Sequence, residues 1–181
     1  TTLGTESIDY VGGILGRANS ASNSVTVKGC SNAGSIIAEI YAGGLIGATD
    51  MSITIESYGD TISSNMGQVQ SVGDYAGGFV GYVENGEISI QQSEAGGNIT
   101  ATTGYYAGGL VGDVFAGTVT VVGSSFKGEL TARETAGGLV GYVANEVSIS
   151  GGVVKPVIDV VQGTGRVLSY GLLSGSTRTN G

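Results

Sequence analysis

The sequence predicts an all-β chain folded as a parallel β-solenoid, and three observations carry that prediction. A glycine-rich heptapeptide recurs at near-regular spacing, the stretch between copies divides into short extended runs, and no segment keeps a helical 3.6-residue apolar period for more than a turn. The copies begin at Tyr10 (YVGGILG), Tyr41 (YAGGLIG), Tyr75 (YAGGFVG), Tyr106 (YAGGLVG) and Thr135 (TAGGLVG). The second glycine of each pair falls at Gly13, Gly44, Gly78, Gly109 and Gly138, at spacings of 31, 34, 31 and 29 residues. A sixth, decayed copy begins at Ser169 (SYGLLSG), aligns without gaps and keeps the first and last glycines. The whole of residues 1–181 therefore reads as one repeat domain of about five three-stranded coils.

Within each coil the first run is the heptapeptide together with the two residues after it, such as Gly78-Phe79-Val80-Gly81-Tyr82-Val83. The second alternates strictly: Ser24-Val25-Thr26-Val27, Ser52-Ile53-Thr54-Ile55, Glu87-Ile88-Ser89-Ile90, Thr118-Val119-Thr120-Val121 and Glu146-Val147-Ser148-Ile149. Period two with β-branched residues means a strand with one buried face. The third run follows a glycine or proline and places a large then a small residue inward, as in Ile36 and Ala38, Val69 and Ser71, Ile99 and Ala101, or Leu130 and Ala132. Equivalent residues are expected to stack about 4.8 Å apart, with Val25, Ile53, Ile88, Val119 and Val147 in one internal ladder and Ile36, Val69, Ile99, Leu130 and Ile158 in another. The crossover preference of parallel strands predicts a right-handed coil.

The glycines have a mechanical reading. The pairs are expected to allow positive φ at a corner and close approach of neighbouring coils. Gly16, Gly47, Gly81, Gly112 and Gly141, three residues further on, are expected to make room for a bulky side chain from another wall. The tail of the fifth repeat, residues 151–168, carries the one proline, Pro156, and extra glycines at Gly163 and Gly165, so an irregular loop is expected there.

Composition excludes several classes of function. A 40% hydrophobic content argues against disorder, and a net charge of -8 from 15 acids and 7 bases leaves no clustered basic face for nucleic acid. Charged residues are only 12% of the chain, so Ser, Thr, Asn, Gln and Gly must cover the solvent face, an economy that suits an extracellular protein. No run of 18 apolar residues occurs, so no direct membrane insertion is expected. Cys30 is the sole cysteine and is read as a small residue inside a repeat, since the chain has no histidine to activate a thiol. Both ends read as cut in mid-repeat, because GTESIDY, Gly4 to Tyr10, occupies the place before its Gly-Gly that GSIIAEIY, Gly34 to Tyr41, occupies before the next, and the chain stops shortly after the sixth copy. The expectation is a segment of a longer chain, or a subunit that stacks on copies of itself.

The recurring aromatic or Thr, small, Gly-Gly, two aliphatics, Gly resembles the GLUG motif, which recurs in tandem in bacterial surface and secreted proteins, including adhesin-like proteins and non-catalytic parts of some immunoglobulin A proteases. The resemblance covers nearly the whole chain, with departures at Val11, at Thr135 and in the sixth copy. It implies a repeat segment of a large extracellular or cell-surface protein and supplies no active site.

No catalytic, cofactor or metal site is expected from the residues themselves. The glycine motif is followed neither by Lys-Ser/Thr nor by a helix, as a phosphate loop requires, and aliphatics stand where calcium-binding β-rolls need polar ligands. Without histidine a serine or cysteine triad has no base. The acids Asp9, Asp74, Glu134, Glu84 and Asp113 fall at repeat corners, where solvated charge is the plain reading against a polysaccharide lyase or hydrolase. Two columns invite a ligand. Tyr10, Tyr41, Tyr75 and Tyr106 are equivalent and are read first as structural stacking, second as a sugar-binding strip. Thr26, Thr54, Ser89, Thr120 and Ser148 form an outer hydroxyl ladder that regular ice or a glycan could meet, interrupted by Glu87 and Glu146 beside it. Asn98-Ile99-Thr100 is a glycosylation sequon only in a source that glycosylates in that way. The expected function is a non-catalytic structural or adhesive segment (stalk, spacer or ligand-presenting wall) whose partners are neighbouring repeats, other copies of itself, or a host or matrix glycan or protein. The alternatives are a subunit of an extracellular filament built by head-to-tail stacking and, third, an ice- or carbohydrate-binding β-helix.

Overall fold

Five walls, each a parallel sheet of five or six strands, run the length of the molecule in the computed structural model. It describes residues 8–20, 23–151, 153–154, 157–160, 169–171 and 174–177, with side chains as far as residue 151. Among these residues every element is a strand. Wall one is made by Tyr10–Gly12, Tyr41–Gly43, Tyr75–Gly77, Tyr106–Gly108, Thr135–Gly137 and Ser169–Gly171. Wall two comes directly after it, with Leu15–Ala18, Ile46–Thr49, Val80–Val83, Val111–Val114, Val140–Val143 and Ser174–Thr177. The alternating run gives wall three: Ser24–Lys28, Ser52–Glu56, Glu87–Gln91, Thr118–Val122 and Glu146–Ser150. Two-residue strands, from Ser31–Asn32 to Val153–Val154, make wall four, and Ile36–Ala38, Val69–Ser71, Ile99–Ala101, Glu129–Ala132 and Val157–Val160 make wall five. Each strand bonds to its counterpart one coil away, so the chain is a parallel β-solenoid. Tyr10 to Thr135 bounds about four full turns, and a fifth begins at Thr135.

The three strands expected per coil are five. The heptapeptide run breaks in two because Gly-Gly turns the chain between walls one and two, and wall four consists of pairs too short to show a period. Register follows the sequence alignment: Val25 pairs Ile53, Ile53 pairs Ile88, Ile88 pairs Val119 and Val119 pairs Val147. The Ile36, Val69, Ile99, Leu130, Ile158 ladder forms likewise in wall five. The decayed copy takes its gapless place, with Thr135 opposite Ser169 and Val140 opposite Ser174. Of the loop expected over residues 151–168, Val153–Val154 and Val157–Val160 are strands in walls four and five, while Pro156, Gly163 and Gly165 lie outside the described residues. The GTESIDY stretch also lies outside them, apart from its last residues.

The core is one aliphatic cluster threaded by these ladders, with Phe79 and Phe126 its largest fully buried side chains. Where wall three turns into wall four, a column of small residues keeps the corner. Ser63, Ser93 and Ser124 hydroxyls donate to the carbonyls of Glu56, Gln91 and Val122 at 2.7, 2.7 and 3.2 Å. Cys30 stands in the same column, its Sγ 3.4 Å from the Lys28 carbonyl oxygen, which accounts for a small residue there. Inside wall four Asn32 Nδ2 donates to Asn65 Oδ1 at 2.8 Å, and Asn65 Nδ2 to the Gly67 carbonyl at 3.0 Å, so the fully buried Asn65 has partners one coil away and within its own turn.

The motif glycines work through space rather than through positive φ. Among the described residues the glycines with positive φ are Gly29, Gly59, Gly86, Gly117, Gly123 and Gly151, all outside the heptapeptide, so that expectation is corrected. A Cβ on Gly44 would collide with the Gly78 carbonyl and the Asn65 amide, and one on Gly109 with the Gly138 carbonyl and the Phe126 ring. The second glycine of the pair thus makes room for the wall-four side chain, the role expected of the third. A Cβ on Gly81 would instead reach the Ala42 carbonyl oxygen at 2.7 Å, and one on Gly112 or Gly141 the equivalent oxygen of Ala76 or Ala107 at 2.8 Å. Nearer still is the carbonyl oxygen of the third glycine one coil earlier, Gly47, Gly81 or Gly112, so what the third glycine admits is backbone of walls one and two in the preceding coil rather than a side chain.

Candidate functional site

Two columns of side chains meet where walls one and two adjoin. The first is the tyrosine ladder, in register coil to coil, with ring centroids 4.8 Å apart for Tyr10 and Tyr41, 5.4 Å for Tyr41 and Tyr75, and 5.8 Å for Tyr75 and Tyr106. The first two pairs are nearly parallel, at 10° and 7°. The second column is the residue after each third glycine: Arg17, Ala48, Tyr82, Asp113 and Tyr142. It alternates large and small, because strands about 4.8 Å apart leave no room for a second unbroken ring stack beside the first. Tyr82 wedges between Tyr41 and Tyr75, its centroid 5.0 Å from each. Tyr142 stacks on Tyr106 at 4.7 Å and 16°, continuing the aromatic line where Thr135 replaces the tyrosine.

The stack is closed at Tyr10 by Arg17. Its guanidinium carbon lies 4.9 Å from the ring centroid, and Nη1 donates to the Tyr10 hydroxyl at 2.9 Å. Arg17 also pairs with Glu84 at 3.1 Å. Arg17 belongs to the first coil and Glu84 to the third, so the pair reaches over the second, where Ala48 supplies almost no side chain. Beneath it is a cleft of about 220 Å³ floored by Ala48 and walled by Tyr10, Tyr41 and Tyr82. The counterpart small position, Asp113, is only 3% exposed and is covered by the aromatic wall, so it is not the solvated corner charge expected of it. Glu84 is exposed, as expected.

Burial governs the ionisation of these phenols. It pushes Tyr82 up to about 12, with the negative charge of Asp113 adding to the effect. Tyr75 is raised further for the same two reasons, and Tyr41 is raised chiefly by burial. Burial also raises the Asp74 carboxyl. Tyr41, Tyr75 and Tyr82 therefore keep hydroxyls that donate and accept at neutral pH, beside the exposed Arg17 guanidinium and Glu84 carboxylate and above the buried Asp113.

The outer hydroxyl ladder is present in wall three, Thr26, Thr54, Ser89, Thr120 and Ser148 being in register and at least partly exposed. Lys28 and Glu56 form a 2.8 Å ion pair at one margin, and the Glu87 amide donates to Ser52 Oγ at 3.1 Å at the other. Asn98 of the sequon is exposed, its Nδ2 3.2 Å from Glu129 Oε2. Among the described residues no three His, Cys, Asp or Glu are grouped to hold a metal ion. The Tyr10 to Tyr106 column was legible in the sequence. The facing column was not singled out, although reading the residue after each third glycine down the repeats yields it. Comparison with known families, curated proteins and solved structures finds no match to this chain.

Proposed function

We propose that this chain is a non-catalytic structural or adhesive repeat segment of a larger extracellular or cell-surface protein, a stalk or spacer that also presents a ligand-binding wall. The observation that carries the reading is that equivalent residues stack in register in all five walls, giving a rod with hydroxyl-rich, sparsely charged faces and a built aromatic trough along one edge. The GLUG-like heptapeptide supports the same reading, since its glycines serve packing between walls. Antibody raised against the chain should label intact cells of the source organism without permeabilisation, and beads coated with it should adhere to host or matrix surfaces. Labelling that requires permeabilisation sinks the extracellular assignment.

A second reading, head-to-tail stacking into a filament, is favoured by the like-on-like register of every wall, since a strand that pairs with its counterpart one coil away can pair in the same way with that of another copy. Fibres of uniform width in negative stain, growing with concentration, support it, and a stable monomer at high concentration removes it. Contact of ice or a glycan with the wall-three hydroxyl ladder comes third.

A further inference from the structure

The tyrosine ladder cannot serve as an open stacking platform, because each ring lies against the next and Arg17 covers the end at Tyr10. What the trough offers a ligand is the cleft over Ala48. Its volume of about 220 Å³ is below the range that holds drug-sized molecules and suits one small ring. Its walls are tyrosine surfaces carrying hydroxyls, and its cover is the Arg17–Glu84 pair. Solvent reaches both partners, at 36% and 54% exposure, and so accessible a pair holds only weakly. An entering ligand can part the two groups and bond to both.

The chemistry left by that parting selects the ligand. A guanidinium that only donates and a carboxylate that only accepts, side by side, match two neighbouring hydroxyls of one molecule. A charged ligand would meet a like charge at one of the two groups. The stacked tyrosines turn ring edges and hydroxyls toward the cleft, whose exposed lining is largely polar, so the remaining hydroxyls of a sugar find partners there. We propose that the cleft over Ala48 is a subsite for one neutral pyranose unit of a glycan, with Arg17 and Glu84 bonding adjacent hydroxyls and Tyr41 and Tyr82 lining the ring. The proposal rests on the ligand-presenting part of the function proposed above, and it gives that wall a ligand class.

The test uses the full 181-residue chain and the methyl glycosides of glucose, galactose, mannose and N-acetylglucosamine, with methyl glucuronide and glucosamine as charged controls. Binding is read by saturation-transfer NMR. At least one neutral glycoside should bind with a millimolar Kd and more tightly than either charged control. Glu84→Gln, at an exposed position, should weaken it about tenfold, the loss expected for one charge-assisted hydrogen bond. Ala48→Leu should abolish it by filling the floor. Should Ala48→Leu fail to fold by circular dichroism, Glu84→Gln alone decides. Absence of binding by every neutral glycoside, unchanged affinity in Glu84→Gln, or preference for a charged control each overturns the proposal. The readout is independent of location, so glycoside binding by a chain that labels only permeabilised cells would remove the surface assignment and leave the cleft standing.

Discussion

Glycine does two different jobs in this chain, and single substitutions separate them. At Gly109 the constraint is space, because a Cβ would press on the Gly138 carbonyl and lie 2.5 Å from Phe126 Cγ. Gly109→Ala is expected to cost about 3 kcal/mol or more, at the upper end for overpacking, since backbone cannot move aside. At Gly123 the constraint is conformation: φ is +59°, and the nearest atom to a Cβ, Gln92 Cγ, is 3.8 Å away. Gly123→Ala should cost only about 1–2 kcal/mol. Gln92 occupies the equivalent corner one coil earlier at φ 45°, where the sequence gives no warning of a left-handed residue. Gln92→Gly should therefore stabilise the fold by about 1 kcal/mol, less whatever is lost with the 3.2 Å bond from Ser57 Oγ. Urea denaturation of the three variants checks all three magnitudes. The position of each glycine pair was readable from its repetition, but its purpose was not, because the atoms it admits belong to other coils and other walls.

At the scale of the element, the trough is governed by the fit between two adjacent columns. The period of the heptapeptide exposed the tyrosines. The Ala48 gap and the burial of Asp113 become apparent only when both columns are set side by side, since neither residue belongs to a motif. The raised phenols make a measurable consequence. Below the ordinary phenol value of about 10 folded and unfolded chains hold the same tyrosine protons. Above it the unfolded chain releases protons that folded Tyr41, Tyr75 and Tyr82 retain, so the unfolded state gains and stability falls as pH rises, until the folded phenols titrate as well. Urea midpoints are thus expected to decline steadily above about pH 10, and a phenolate absorbance titration of the native chain should show a lagging group of tyrosines. The Asp74 carboxyl, also raised by burial, acts with the same sign at lower pH: its folded form resists losing a proton, so ionisation costs stability as pH rises through the folded value. Asp74→Asn should accordingly stabilise the chain at neutral pH and do little in acid. A midpoint unchanged at neutral pH would refute that cost.

For the whole molecule, the variable repeat length has a simple location. The walls keep their register while the corners absorb the difference, most visibly in the second coil. There residues 57–62 form a small finger closed by a Tyr58 and Thr61 bridge, where the third coil has only Gln92 between Gln91 and Ser93. Such a body is held by contacts between neighbouring coils, so its stability should behave as a sum over coils and the interfaces between them. Deleting residues 75–105 tests this directly, because Tyr75 and Tyr106 are equivalent and the cut joins Asp74 to Tyr106 at the same point of the turn. The shortened chain should remain a parallel β protein by circular dichroism and unfold cooperatively, with a denaturant slope lower by about a fifth, in proportion to the surface removed. Its stability should fall by several kcal/mol, since one set of ladders is lost and a single new interface replaces two. That new interface places Phe126 next to Asn65 in wall four, where Ala95 separated them, so part of the fall is local mismatch. Phe126→Ala in the shortened chain should then recover stability, although the same change in the intact chain destabilises it by about 3–5 kcal/mol. If the deletion abolishes folding altogether and Phe126→Ala does not restore it, the coils are not interchangeable units, and the solenoid must depend on particular long-range contacts that its repeating sequence conceals.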